Sequence, residues 1–164
     1  MNTIRRPVNL LQYRLGVVGV MTRKDGKVLI FNRTDFQDGW QFPQGGIEKD
    51  ENPDQAVLRE IKEETGISSD KLFFKCASSL FIPMDIPAER RSQRLIDNNW
   101  IGHAQIWHLF YFDGTDQDIN FSEEQIYKGF EWVEPAEAAA RIVSFKKPAY
   151  TEGLKQLGFE LTFS

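Results

Sequence analysis

The chain has 164 residues, 41% hydrophobic and 27% charged, the profile of one ordinary globular domain long enough to build a real core. A formal net charge of −4 excludes a broad basic nucleic-acid surface, although it leaves room for a small basic pocket. No apolar run approaches the ~20 residues of a membrane span, no signal-like hydrophobic stretch opens the chain, and a single cysteine, Cys76, excludes an internal disulfide, so a cytoplasmic protein is expected.

Taken in order, residues 1–12 read as a loose lead-in to one domain spanning 1–164. Arg14–Thr22 is strongly β-prone, and Lys24-Asp25-Gly26 turns it into a second strand over Lys27–Asn32. Arg33–Gly39 is a polar loop, Trp40–Phe42 a short strand, and Gly45-Gly46 a glycine turn leading to an acidic loop. Asn52 suits an N-cap, Pro53 the first helical position and Gln55 a capping box, while Gly66 supplies the stop, which predicts a helix over 53–65. Leu72–Ile82 reads as one strand with Cys76 in its core pattern. Residues 83–101 read as a long irregular loop carrying Arg90, Arg91 and Arg94, and loops of that length are often functional. Gln105–Phe112 alternates as a strand, 113–124 is an acidic loop, Gly129–Val133 a last strand, and Pro135–Ile142 and Pro148–Leu157 are helices. Strands packed between helices on two sides make an α+β sandwich the expected class.

The chemistry concentrates on the helix over 53–65. At roughly 100° per residue, Val57, Leu58, Ile61 and Thr65 share a core face. Glu60, Glu63 and Glu64 project from the neighbouring face, beside Ala56. Carboxylates at i, i+3 and i+4 repel one another, and a cation offsets that repulsion. Hard oxygen donors on a rigid helix suit Mg²⁺ or Mn²⁺, ions that also bind substrate phosphates. A bare E-x-x-E-E is commonly only a solvated helix face. Here it stands in register with Gly45, Glu51, Arg59, Gly66 and Ile67, filling every position of G-x(5)-E-x(7)-R-E-U-x-E-E-x-G-U, where U is aliphatic.

That pattern is the Nudix box, and the chain resembles the Nudix hydrolase superfamily. W-Q-F-P-Q-G-G-I at 40–47, Tyr13-Arg14 opening the first strand, I-G-H-A-Q-I-W at 101–107 and V-S-F-K-K-P-A-Y at 143–150 narrow the likeness. They are similar to the branch holding bacterial RNA pyrophosphohydrolases and dinucleoside polyphosphate hydrolases. The resemblance implies a Nudix fold, a mixed β-sheet between helices, and Mg²⁺-dependent attack of water on a phosphoanhydride. It implies Glu60, Glu63 and Glu64 as metal ligands, with a backbone carbonyl of Gly45-Gly46 completing the shell. Arg59 becomes an organiser pairing with Glu51 or Glu63. It further implies that Arg14 contacts phosphate, Phe145 stacks on the first base and Lys146 contacts the nucleotide. Stacking is worth roughly 1–3 kcal/mol per base and tolerates different sequences. Arg33 and the Arg90/Arg91/Arg94 group are further phosphate candidates, against the plainer reading of a solvated charge run.

One position departs from the family. Members often carry a glutamate before the last strand, in P-E-F, where this chain has Ile126. Glu123 and Glu124 lie just upstream, and Glu124 is the expected substitute as base, alongside the box glutamates Glu63 and Glu64. The expected activity is conversion of 5′-triphosphorylated RNA ends to 5′-monophosphate, with hydrolysis of dinucleoside polyphosphates as the alternative. A non-catalytic nucleotide sensor is the reading from another class; it has no use for three mutually repelling glutamates.

Overall fold

In the computed structural model, which describes residues 8–35, 37, 39–121 and 126–162, the two longest β-prone runs lie side by side. The strands in chain order are β1 (Tyr13–Thr22), β2 (Val28–Arg33), β3 (Trp40–Gln41), β4 (Gln44–Gly46), β5 (Leu72–Ala77), β6 (Ile82–Asp85), β7 (Gly102–Phe112) and β8 (Tyr127–Val133). β1 and β7 run parallel, in register from Tyr13 opposite Gly102 to Thr22 opposite Tyr111. All other pairings are antiparallel: β4 beside the first half of β1, β2 beside its end, β3 and β8 on β2, and β5 and β6 on β7. The result is the mixed sheet that the resemblance implied.

Alternation along β1 divides the core in two. Val17 and Met21 face helix α1 (Pro53–Thr65), whose Ala56, Val57 and Ile61 are fully buried against them with Leu29, Phe31 and Phe110. Full burial of an aliphatic side chain is worth roughly 1.5–3 kcal/mol. Val18 and Val20 face the opposite layer, where α3 (Pro135–Arg141) and α4 (Lys147–Gln156), the latter through Tyr150, pack over Ile30, Phe42 and Trp107. A short α2 (Gln93–Asp97) adds Leu95 to that second layer.

Helix α1 begins and ends where its sequence says it should. Asn52 accepts from the Gln55 N–H at 2.9 Å and Gln55 reaches back to the Asn52 N–H at 3.0 Å. Gly66 closes the helix in the left-handed region at φ 78, which a side chain would disfavour. Leu58 is only half-buried, on the flank of the face it was expected to share.

Three expectations fail. Gly45-Gly46 is not a turn: both residues belong to β4, opposite Val17 and Gly16. The single strand over Leu72–Ile82 is two, broken after Ala77, where the Ser78 N–H donates to the Trp107 carbonyl and the Ser78 hydroxyl accepts from the Trp107 N–H. Residues 83–101 are not an irregular loop but hold most of β6, a 3-10 turn over Ala88–Arg90 and α2. Cys76 is half-buried against the core. Of the lead-in, Leu10–Gln12 form a 3-10 turn whose Gln12 carbonyl accepts from Ile101 N–H.

Tight packing of the second layer makes a direct prediction. A Cβ on Gly153 of α4 would overlap the Trp107 indole, which is wedged edge-on against Phe42 and Tyr150. Overpacking a core costs about 1–3 kcal/mol, and a domain of this size loses about 2–4 °C per kcal/mol. Gly153→Ala is therefore expected to lower the melting temperature by about 6 °C in a thermal melt.

Candidate active site

Arg59 is the hub of the box. Its Nε and Nη2 donate to the two oxygens of Glu51 at 2.7 and 2.9 Å, and Nη2 also donates to the Gly46 carbonyl at 2.9 Å. Its Nη1 donates to Glu60 at 2.8 Å and to Glu63 at 3.2 Å. The organiser therefore takes Glu51 and Glu63 together, and adds Glu60. The hydrogen bond from Arg59 holds the Glu51 carboxyl down at about 2, and Glu51 in turn raises the guanidinium.

The three helix carboxylates sit in different environments. Glu63 is exposed, while burial raises Glu60 despite its bond to Arg59. Glu64 turns inward, its Oε2 accepting from the Tyr127 hydroxyl at 2.6 Å and the Gln44 N–H at 3.2 Å, and burial pushes it up to about 8. Among the described residues no three His, Cys, Asp or Glu side chains converge on one point. The donor chemistry nevertheless fits a hard cation, because Glu60 and Glu63 already share one cationic nitrogen, Nη1 of Arg59. The glycines serve that cluster by being small. A Cβ on Gly45 would overlap the Glu60 carboxylate, and one on Gly46 would overlap the Arg14 guanidinium.

Beside the cluster lies a cleft of about 410 Å³. Trp40, Met84, Ile86 and Leu95 supply apolar wall, and Arg33, Arg90, Arg141 and Lys146 supply charge. Gln44, the residue whose N–H holds Glu64, also lines it. The Arg141 guanidinium lies 4.3 Å from the Trp40 ring centroid, and that of Arg90 lies 5.6 Å from the Phe145 centroid. His103 lines the same cleft opposite Arg14 in the β1–β7 register, and burial lowers it to about 4, so it is a neutral imidazole at pH 7.

The expected substrate residues thus separate. Phe145, Lys146 and Arg33 reach the cleft; Arg33 is also paired with Asp35 at 2.6 Å. Arg14 lies over Gly46 near Glu60, lowered by burial and then by the charge of Arg94. The arginine group divides too. Arg90 lines the cleft, whereas Arg91 donates to the Ile86 carbonyl at 2.9 Å and braces the chain. Glu124 lies outside the described residues. Ile126 is half-buried against the first core layer and has no proton-accepting side chain.

Sequence reasoning missed Gln41, His103, Tyr127 and Trp40. Strand alternation carried a signal for one of them: with Trp40 and Phe42 facing the α3/α4 layer, Gln41 between them must face the box helix.

Known proteins agree with this architecture. A protein of Zymomonas mobilis named RNA pyrophosphohydrolase is 35% identical over 153 residues, covering 92% of this chain and 98% of its own. One of the same name from Rhodospirillum rubrum is 35% identical over 148 residues, covering 90% and 88%. The solved structure of the E. coli dihydroneopterin triphosphate pyrophosphohydrolase superposes with a TM-score of 0.61 at 22% identity, covering 86% of this chain and 94% of that one. Among the described residues no helix is long and apolar enough to cross a membrane. Residues 12–152 match the NUDIX domain, so the chain belongs to the Nudix family.

Proposed function

We propose that this protein is a pyrophosphohydrolase that trims the 5′-triphosphate end of RNA to a monophosphate, with Mg²⁺ as its ion and Mn²⁺ as a substitute. The observation that carries the reading is the adjacency of an acidic cluster to a cleft with rings and four cations, joined through Gln44. The relatives bearing the name RNA pyrophosphohydrolase support it at 35% identity over nearly the whole chain.

Each part of the site has a task in that reaction. Glu60, Glu63 and Glu64 would hold the ion, with Gly45 or Gly46 offering a carbonyl once Arg59 yields. A divalent cation supplies neutralisation of the polyphosphate and a lowered pKa for attacking water. Arg14 and Lys146 draw the phosphates in, Arg33 adds charge at the cleft wall, and Phe145 stacks on the first base. Arg59 fixes Glu60 in place, and a carboxylate, Glu63 or Glu124, accepts the proton of the water.

The test is a side-by-side assay of the purified protein in Mg²⁺, with 5′-triphosphorylated RNA in one arm and diadenosine tetraphosphate in the other. Faster conversion of the RNA to its 5′-monophosphate is expected. Faster cleavage of the dinucleotide would overturn the RNA reading, and no turnover of either would make the fold a nucleotide-binding module.

Lys146 gives the reading a pH signature. Burial lowers its amine to about 8, so it is charged at pH 7 and loses its proton as pH rises through that value. A charge-assisted hydrogen bond to phosphate is then lost, and KM for RNA is expected to rise about fivefold between pH 7 and pH 9. Lys146→Arg keeps its charge throughout that range and is expected to flatten the rise.

A further inference from the structure

A single file of hydrogen bonds runs from the cleft to the acidic cluster. Lys146 Nζ donates to Gln41 Oε1 at 2.9 Å, Gln41 Nε2 donates to the Tyr127 hydroxyl oxygen at 3.0 Å, and that hydroxyl donates to Glu64 Oε2 at 2.6 Å. All four residues are buried, none more than 8% exposed. They come from four places in the chain: β3, α1, β8 and the 3-10 turn Ser144–Lys146 before α4.

The direction of this file is set from its cationic end. An ammonium can only donate, so Gln41 Oε1 must accept and Gln41 Nε2 must donate onward to the Tyr127 oxygen. Arg33 Nη1 adds a second donor to Gln41 Oε1 at 3.3 Å, which leaves the amide no second orientation. Tyr127, with one hydrogen to give, must give it to Glu64. Both named bonds to Glu64 fall on Oε2, so Oε1 is the oxygen that remains for a ligand.

We propose that Tyr127 and Gln41 are positioning residues: they fix the Glu64 carboxylate for its ion and tie that setting to the nucleotide seat at Lys146. The proposal rests on the reading of Glu64 as an ion ligand given above. Aligned donors in a buried chain strengthen one another, so a change at one end is felt at the other. When an anionic nucleotide engages Lys146, the amine shares its hydrogens between phosphate and Gln41. The adjustment passes through Tyr127 to Glu64. Seat and reaction centre are thereby coupled without touching.

Two measurements on Tyr127→Phe, which keeps the ring and removes only the hydroxyl, test this. Titration calorimetry with Mn²⁺ alone is expected to show binding weakened roughly tenfold, the usual effect of removing a group that orients a ligand. With the better of the two candidate substrates, kcat is expected to fall roughly tenfold with KM changed less than about twofold. Lys146→Met is expected to lower kcat as well as raise KM, and in the Tyr127→Phe background its effect on kcat is expected to vanish. Should Tyr127→Phe fail to fold, Gln41→Leu cuts the file one link earlier: it leaves the Tyr127–Glu64 bond in place and is expected to abolish the effect of Lys146→Met on kcat, and a Lys146→Met effect undiminished in that background would overturn the coupling. Wild-type Mn²⁺ affinity and kcat in folded Tyr127→Phe would overturn the proposal, as would strictly additive effects of Lys146 and Tyr127 on kcat. The Mn²⁺ arm uses no nucleotide, so failure of the RNA assignment and failure of this coupling read out separately.

Discussion

Glu63→Gln is expected to lower kcat by about a thousandfold, equivalent to about 4 kcal/mol of transition-state stabilisation, while leaving the melting temperature unchanged. The side chain is 54% exposed and its one named partner is Arg59 at 3.2 Å, so removing its charge costs the fold little. What the substitution removes is a negative oxygen on the open side of the cluster, where the proposed ion would meet it. Glu64→Gln is the stricter companion. Its amide keeps an oxygen that can accept from Tyr127 and from the Gln44 N–H, so the buried contacts survive while the capacity to ionise beside a cation does not. Steady-state kinetics beside a thermal melt give the answer. Near-normal turnover in both variants would remove these carboxylates from the chemistry, and a large loss of melting temperature in Glu63→Gln would mark it as structural.

Arg59→Ala is expected to damage both stability and activity. The guanidinium is mostly buried and serves three carboxylates and a carbonyl, so its loss strands Glu51 and Glu60 with no cation between them. Removing one partner of a well-buried ion pair costs about 3–5 kcal/mol; the partial exposure here brings that to about 2–3 kcal/mol, or a fall of about 8 °C. The effect carries a pH signature with a definite sign. Glu51 is held at about 2 in the folded protein against an ordinary 4.5. Its contribution is therefore complete above about pH 4.5 and is lost as pH falls toward 2. Melting temperatures of wild type and Arg59→Ala are expected to differ most near pH 6, to draw together below about pH 4.5 and to converge only as pH approaches 2. Arg59→Lys is expected to fall between them, since an ammonium keeps the charge but cannot reach Glu51 through two parallel bonds.

What the sequence made legible was local. Asn52, Pro53, Gln55 and Gly66 mark the ends of α1 through bonds made within a few residues, so its bounds are readable before any fold is known. The register of Glu60, Glu63 and Glu64 follows from the same helix, and Arg59 meets Glu51 just ahead of that helix's own N-cap. What escaped depends on partners distant in the chain. Gln44–Gly46 is a strand only because β1 lies beside it. β6 contains Pro83, which argues against a strand, yet it pairs with Ala104 of β7 while Ile82 and Met84 point into the core. Lys146 was expected as a contact for the nucleotide; that it is buried and bonded to Gln41 depends on a residue 105 positions earlier. Tyr127 falls just outside the strand expected over Gly129–Val133, which in the structure begins at Tyr127 itself, and nothing local announces that its hydroxyl meets Glu64.

The two ends of α1 have a consequence for how this protein can vary. The helix is pinned by a reciprocal cap at Asn52 and by a left-handed glycine at Gly66, and its neighbour β4 is pinned by register to β1. Adding or deleting one residue inside the helix, between Asn52 and Gly66, would rotate every later side chain by roughly 100° and turn its carboxylates away from Arg59 and the core face. Substitution inside this segment is graded, but a change in its length is all or nothing. Insertions and deletions should therefore be tolerated around Lys24–Gly26, whose turn connects β1 and β2 at the surface, and be absent from Asn52 to Gly66, however far the composition of that stretch drifts.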